Sequence, residues 1–228
     1  MGFDGFPEAG LAFLRELAAH NDRDWFETHR TAWDDGIVPA MLAWCGELAD
    51  RLRDVMPRAV FVPRVGGSVY RLNRDTRFSR DKSPYKTHVA ALVWEGNGDK
   101  HDAPAVYLHV SPEEIIFAGG IWMFEEERLD RWRKLLHSEP AADRLESALA
   151  QAKKGGLKVE TPEKLVRTPR GFNPEGARAE LSKYKGLIVA KHLKPAAWLH
   201  AKEALTRSEA VFRAYAPLHA WMRDELCG

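Results

Sequence analysis

Residues 87–94, 105–110 and 115–122 are three runs of β-branched and aromatic residues, close together in the chain and bounded by Gly, Pro and Asp. Runs of that length and composition read as strands. Only Ser111-Pro-Glu-Glu114 separates the second from the third; proline presets a turn dihedral, and so short a link joins antiparallel neighbours. Residues 61–62 and 65–72 have similar composition and are expected to add strands ahead of the block.

Helical patterns flank the strands on both sides. Leu11, Leu14, Leu17 and Ala18 follow Pro7. Trp25, Phe26, His29 and Trp33 follow the expected cap Asp22, and beyond Gly36 and Pro39 the stripe is Met41, Leu42, Cys45, Leu48, Leu52 and Val55. Apolar residues recurring every three to four positions mark amphipathic helices. The spacing predicts that Gly36 and Pro39 separate the second helix from the third, and that Pro57 stops the third. After the strands, Glu125 to Glu127 place acid at the start of a helix that ends in Lys134 and His137, matching its dipole. Another helix is expected over 141–153, and a long last one after Pro195 that Pro217 ends or kinks. Residues 155–195 carry Gly155, Gly156, Pro162, Pro169, Gly171, Pro174, Gly176 and Gly186 and read as loops around short elements. Helices before and after a block of strands predict an α+β fold, a central antiparallel β meander packed by N-terminal and C-terminal helices. With 228 residues and no internal repeat, one domain over 1–228 is expected.

Charge is uneven along the chain. Residues 64–88 hold seven basic residues (Arg64, Arg71, Arg74, Arg77, Arg80, Lys82, Lys86) against Asp75 and Asp81, a net +5, which leaves −4 elsewhere in a chain of net +1. So small an overall charge gives no field drawing the protein to nucleic acid or anionic lipid. Locally, arginine forks and lysine point charges suit carboxylate or phosphate oxygens. The segment therefore supplies candidate ligand donors, Ser68, Arg71, Arg74, Arg77, Lys82 and Lys86, with Gly66 and Gly67 able to bring backbone N–H groups close to an anion. An equally weighted reading pairs the arginines with Asp75 and Asp81, pinning a long loop to the sheet. Strand alternation adds His88, His109 and Tyr107 to one sheet face beside that segment. Imidazole titrates near neutrality, so His88 and His109 are the candidates for acid or base catalysis, although no nucleophile accompanies them.

Other chemistries find no motif. The nine histidines are scattered, and His-Glu-x-x-His, paired Cys and acidic calcium loops are absent, so no metal is expected. Gly-Lys-Ser/Thr and Gly-x-Ser-x-Gly are missing too, and no cofactor is expected. Residues 2–10 show no basic-then-apolar leader, and no run approaches the roughly 20 apolar residues of a membrane span. Cys45 and Cys227 lack paired spacing and are expected to be free thiols in a reducing cytoplasm.

Four strings taken together carry a resemblance: Phe3-Asp-Gly-Phe-Pro7 with Asn21-Asp-Arg-Asp-Trp-Phe26, residues 68–88, Gly119-Gly120-Ile-Trp122, and Pro169-Arg-Gly-Phe172. Nearly the whole chain resembles the domain of unknown function 2461 (DUF2461), a family of conserved hypothetical proteins. Its most specific string is Arg71-Leu-Asn-Arg-Asp-Thr-Arg-Phe-Ser-Arg-Asp-Lys-Ser-Pro-Tyr-Lys-Thr-His88. Phe124 departs from the proline expected after the Gly-x-Trp string, and Glu175-Gly-Ala177 from a His-Pro pair. The resemblance implies no activity and assigns no catalytic residue. The leading expectation is an anion site for a phosphate- or carboxylate-bearing ligand on residues 64–88. The alternative is a basic module, without catalytic activity, for an acidic protein or a nucleic-acid backbone.

Overall fold

The structure, a computed structural model, describes residues 2–96 and 100–228. Helix α1 (Glu8–Ala19) buries Leu11, Leu14 and Leu17. Helix α2 (Arg23–Thr31) starts at Asp22, whose carboxylate accepts the Trp25 N–H at 2.9 Å and satisfies one of the unpaired donors of the first turn. The expected break at Gly36 does not occur. A π turn over Ala32–Ile37 carries the chain directly into α3 (Val38–Arg51), and Pro39 falls in the first turn of α3, where its missing N–H costs little.

The sheet comprises β1 (Ala59–Val60), β2 (Val89–Glu95), β3 (Ala105–Val110), β4 (Ile115–Ile121), β5 (Lys158–Glu160) and β6 (Leu187–Leu193), in the order β1-β2-β3-β4-β6-β5 and antiparallel throughout. The β2-β3-β4 meander sits where its composition puts it. Between β3 and β4, Ser111 N–H donates to the Glu114 carbonyl and Ser111 Oγ accepts the Glu114 N–H, both at 2.9 Å, closing the hairpin.

Two expectations need correction. Residues 61–72 form no regular strand: Gly66 takes a left-handed φ of 80° and a Cβ on Gly67 would stand 2.7 Å from the Val62 carbonyl oxygen, so the chain doubles back. Its backbone bonds to β2 where Tyr70 N–H donates to the Ala90 carbonyl and where the Leu92 N–H donates to the Ser68 carbonyl. Conversely, the stretch read as loops around short elements holds, besides the short β5, a full strand, β6, which pairs with β4 over seven residues. That close seam needs Gly120, at φ 144°, since a Cβ there would lie 2.1 Å from the Leu187 carbonyl oxygen.

Helices α4 (Glu126–His137), α5 (Glu139–Lys154), the single turn α6 (Ala179–Ser182) and α7 (Glu203–Trp221) complete the chain. α7 does not stop at Pro217. It runs on through a π turn over Met222–Leu226, held by Leu218, Met222 and Leu226, all buried. Helices cover one face of the sheet, with α3 on β2 and α7 on β4. Val89, Ala91, Val93, Val106, Leu108, Val110, Ile115 and Phe117 point into that layer and belong to one apolar cluster reaching from Phe3 to Leu226. Burial of Trp44, Trp132 and Trp221 leaves no indole N–H unpaired: they donate to Ser208 Oγ, the Leu181 carbonyl and the Ala141 carbonyl. Among the described residues no helix is long and apolar enough to cross a membrane.

Candidate functional site

Covering one face of a sheet with helices leaves the other to be explained. Here the register sets three rows across the open face: Ala90, His109, Ile116 and His192; then Leu92, Tyr107, Ala118 and Ala190; then Trp94, Ala105, Gly120, Ile188 and Glu160. Part of this face is roofed by Val60, Val62 and Tyr70, which pack on Leu92, Trp94 and Ala105. The remainder is the floor of a cleft of about 520 Å³ whose walls include Tyr70, Lys86 and His88 on one side and Trp122, Glu160 and His192 on the other. Ala90, Ala118, Ala190 and Gly120 keep that floor shallow and apolar. Trp122 stands at the rim, 58% exposed.

The polar groups of the cleft fall into two sets. His88 precedes β2 and lies flat on His109, ring centroids 4.2 Å apart and planes 25° from parallel. The Tyr107 hydroxyl is 3.2 Å from His109 Nδ1. Burial, then the neighbouring Lys86, pushes His88 down to about 4. Burial, then His88 and His192, pushes His109 down to about 3. Both rings are therefore neutral at pH 7. Burial and Tyr70 push the Tyr107 phenol up, so it keeps its proton; with that proton donated to Nδ1, His109 carries its own on Nε2. Lys86, whose pKa is lowered by burial, donates to the Arg71 carbonyl at 3.0 Å and lies over the Tyr70 ring.

Two strand spacings away, about 10 Å, His192 bridges two carboxylates, with Nδ1 2.6 Å from Glu114 and Nε2 3.0 Å from Glu160. Partial burial pulls its pKa down, but the hydrogen bonds to Glu114 and Glu160 outweigh that and hold it above the ordinary value. This set joins the β3-β4 turn, β6 and the edge strand β5. Among the described residues no group of three His, Cys, Asp or Glu side chains is placed to hold a metal ion.

The cationic segment is distributed differently from a convergent receptor. Asn21 anchors it, donating to the Tyr85 carbonyl and accepting the Tyr85 N–H, each at 3.0 Å. Arg77 makes a two-pronged pair with Asp75, Nη2 to Oδ2 at 2.7 Å and Nε to Oδ1 at 3.0 Å, and Arg74 pairs with Asp81. Hydrogen bonds from Ser83, then Arg74, hold the Asp81 carboxyl well below the usual carboxylate range. Lys82 donates to the Thr76 carbonyl. Ser68 is buried and accepts the Val62 N–H. The Gly66 and Gly67 N–H groups are taken by the Val69 and Arg64 carbonyls. Arg71 is exposed beside Gly66. Of the six sequence-derived ligand candidates, Lys86 alone lines the cleft, together with the candidate His88; His109 is not itself a lining residue and adjoins the cleft through His88, on which it stacks, and Tyr107. Sequence reasoning missed His192, Glu114, Glu160 and Trp122. The signal was present in residues 187–193, a β-branched run whose alternation places His192 on the face of Ala190 and Ile188.

Comparison with known families agrees with this frame. A family model described as Conserved hypothetical protein (DUF2461) matches residues 9–221. The chain belongs to this family. The match takes in α1 through α7, so the open-face cleft lies wholly inside the DUF2461 region. No match is found among curated proteins.

Proposed function

We propose that this DUF2461 protein binds a small ligand bearing an anionic group, carboxylate or phosphate, in the cleft on the open face of its sheet. The observation that carries this reading is the placement of Lys86 and His88, with His109 stacked on His88, at one end of a shallow apolar cavity; among the described residues no carboxylate is bonded to any of the three. Lys86 supplies the charge, and the imidazoles, neutral at pH 7, supply N–H donors or acceptors. His88 and His109 are then also the groups in position to carry a proton, should the ligand react. Arg74 and Arg77 are assigned to loop architecture through Asp81 and Asp75. Such exposed pairs hold a loop shape more than they add stability. Two unpaired thiols, Cys45 buried and Cys227 exposed, fit a reducing cytoplasm.

Thermal unfolding tests the proposal, because a ligand that binds only the folded state raises the melting temperature. Across inorganic phosphate and simple carboxylates, with chloride at matched ionic strength as control, at least one anion raises Tm. Lys86→Gln removes the shift and Arg77→Gln leaves it. Loss of the shift in Arg77→Gln, with Lys86→Gln unaffected, would move the site onto the 73–83 loop.

A second reading rests on Phe78, 94% exposed beside Arg77 on that loop. A bare aromatic on a basic loop is the surface of a module for an acidic partner. Phe78→Ser would then abolish partner capture and leave anion shifts untouched.

A further inference from the structure

The apolar floor and the small number of donors narrow the ligand further, on the assumption that the cleft is an anion site. We infer that its occupant is a monocarboxylic acid with an apolar body, lying on Ala118 and Ala190 beneath Trp122, its carboxylate between Lys86 and the stacked His88 and His109, and that it binds together with one proton taken up by that stack.

The size of the charge follows from the donors. A phosphate dianion is held by several charge-assisted hydrogen bonds or a helix N-terminus. The cationic end of this cleft offers two ammonium groups, Lys86 and Lys100, each already donating to a backbone carbonyl, of Arg71 and Gly67, beside the imidazoles of His88 and His101; no helix N-terminus faces it among the described lining residues, and the glycine amides nearby are already bonded within their turn. The body follows from the floor. Inorganic phosphate would leave Ala90, Ala118, Ala190 and the exposed Trp122 face in water, whereas an aryl or branched acyl group covers them.

The proton follows from what surrounds the two rings. Lys86 faces them from the loop before β2, Tyr107 from β3, and Tyr70 lies 6.3 Å from Tyr107. Lys100 and His101 line the same wall. Among the described residues on this side of the cleft, none of these groups carries negative charge. Across the floor His192 acts on His109, with Glu114 and Glu160 bonded to it. In the empty cleft a proton on the stack thus meets cations and low polarity, which is why His88 and His109 titrate at about 4 and about 3. A carboxylate between Lys86 and the stack reverses the local field and raises both values, so binding draws a proton from solvent onto one imidazole. Affinity then increases about tenfold per pH unit on acidification wherever one full proton is taken up. Below the titration of the empty site the gain ceases.

Isothermal titration of the full chain decides the matter. The probes are 3-phenylpropionate, acetate and inorganic phosphate, at about pH 6 and about pH 8, each in buffers of low and high ionisation enthalpy. Phenylpropionate is expected to bind more tightly than acetate or phosphate, and more tightly at the lower pH, with heats that differ between buffers by the uptake of up to one proton. His109→Gln flattens the pH dependence, and His88→Gln serves if that variant does not fold. The rim variant Trp122→Ala weakens phenylpropionate several-fold and leaves acetate unchanged. Phosphate binding in preference to phenylpropionate would overturn the apolar acid while leaving the anion site standing. Phenylpropionate binding with equal heats in both buffers and equal affinity at both pH values would overturn the proton. Absence of binding by all three probes would overturn this inference and the anion site together.

Discussion

His88 and His109 sit where positive charge is disfavoured, and that has a consequence for stability as well as binding. In the unfolded chain their rings titrate near 6.5, whereas the folded values are about 4 and about 3. Between those limits the unfolded chain binds protons that the native state refuses, so stability falls as pH falls through the window and is fully present above about pH 6.5. Urea unfolding from about pH 7 to about pH 5 should lose on the order of 1–2 kcal/mol in the wild type. His88→Gln with His109→Gln should reduce that slope. Equal slopes in the two proteins would mean that the rings titrate normally. At this scale the sequence was informative only through alternation. The period of two put His88, His109 and Tyr107 on one face, but nothing in the spacing revealed that Arg74 and Arg77 turn toward Asp81 and Asp75. That choice depends on loop geometry, and the segment's charge count is the same for either outcome.

At the scale of elements, the edge of the sheet depends on an ionic clip that the sequence reading passed over. β5 has three residues and would fray alone; His192 ties it through Glu160 to β6 and through Glu114 to the β3-β4 turn. Because the folded pKa of His192 is raised, its contribution is fully present below about 6.5 and is lost as pH rises through the folded value. The groups are partly exposed, so the effect is small. His192→Gln is expected to cost about 0.5–1 kcal/mol near pH 6 and little near pH 8, read as denaturant midpoints; a larger loss at pH 8 would contradict the ionic account. The β2-β3-β4 meander was legible because composition, alternation and a four-residue turn agreed. β6 was not, since Gly186 and Pro195 at its borders were counted with a surrounding run of breakers. Gly186 is there because a Cβ would meet the Trp122 carbonyl at 2.0 Å, a tertiary reason invisible in a local window. Gly36 misled in the same way, and packing of the flanking apolar residues carried the last helix past Pro217 as well.

For the whole molecule, the two helical ends of the chain meet over the sheet, and this makes cooperativity a measurable property of the architecture. Trp44 on α3 lies fully buried against Phe3 and Phe117, and its indole N–H donates at 3.0 Å to Ser208 Oγ on α7, 164 residues along the chain. Ser208 passes the bond on to the Leu205 carbonyl at 2.9 Å. Removing the hydroxyl leaves a buried N–H with no acceptor, a cost of about 1–3 kcal/mol. Ser208→Ala changes almost no volume, so that loss comes from the bond and not from a cavity. If the apolar cluster from Phe3 to Leu226 unfolds as one unit, an N-terminal reporter and a C-terminal reporter should share a single denaturation midpoint in the wild type. In Ser208→Ala both midpoints should fall together by the same amount, with the slope unchanged. Amide hydrogen exchange of α1 and a label at the exposed Cys227 provide the two reporters. A variant in which the Cys227 signal moves while the α1 signal stays would show that α7 detaches from the sheet on its own. The open-face cleft, lined by the sheet and the loops of its other side, would then be expected to keep the anion binding proposed for it after the C-terminal helix had melted.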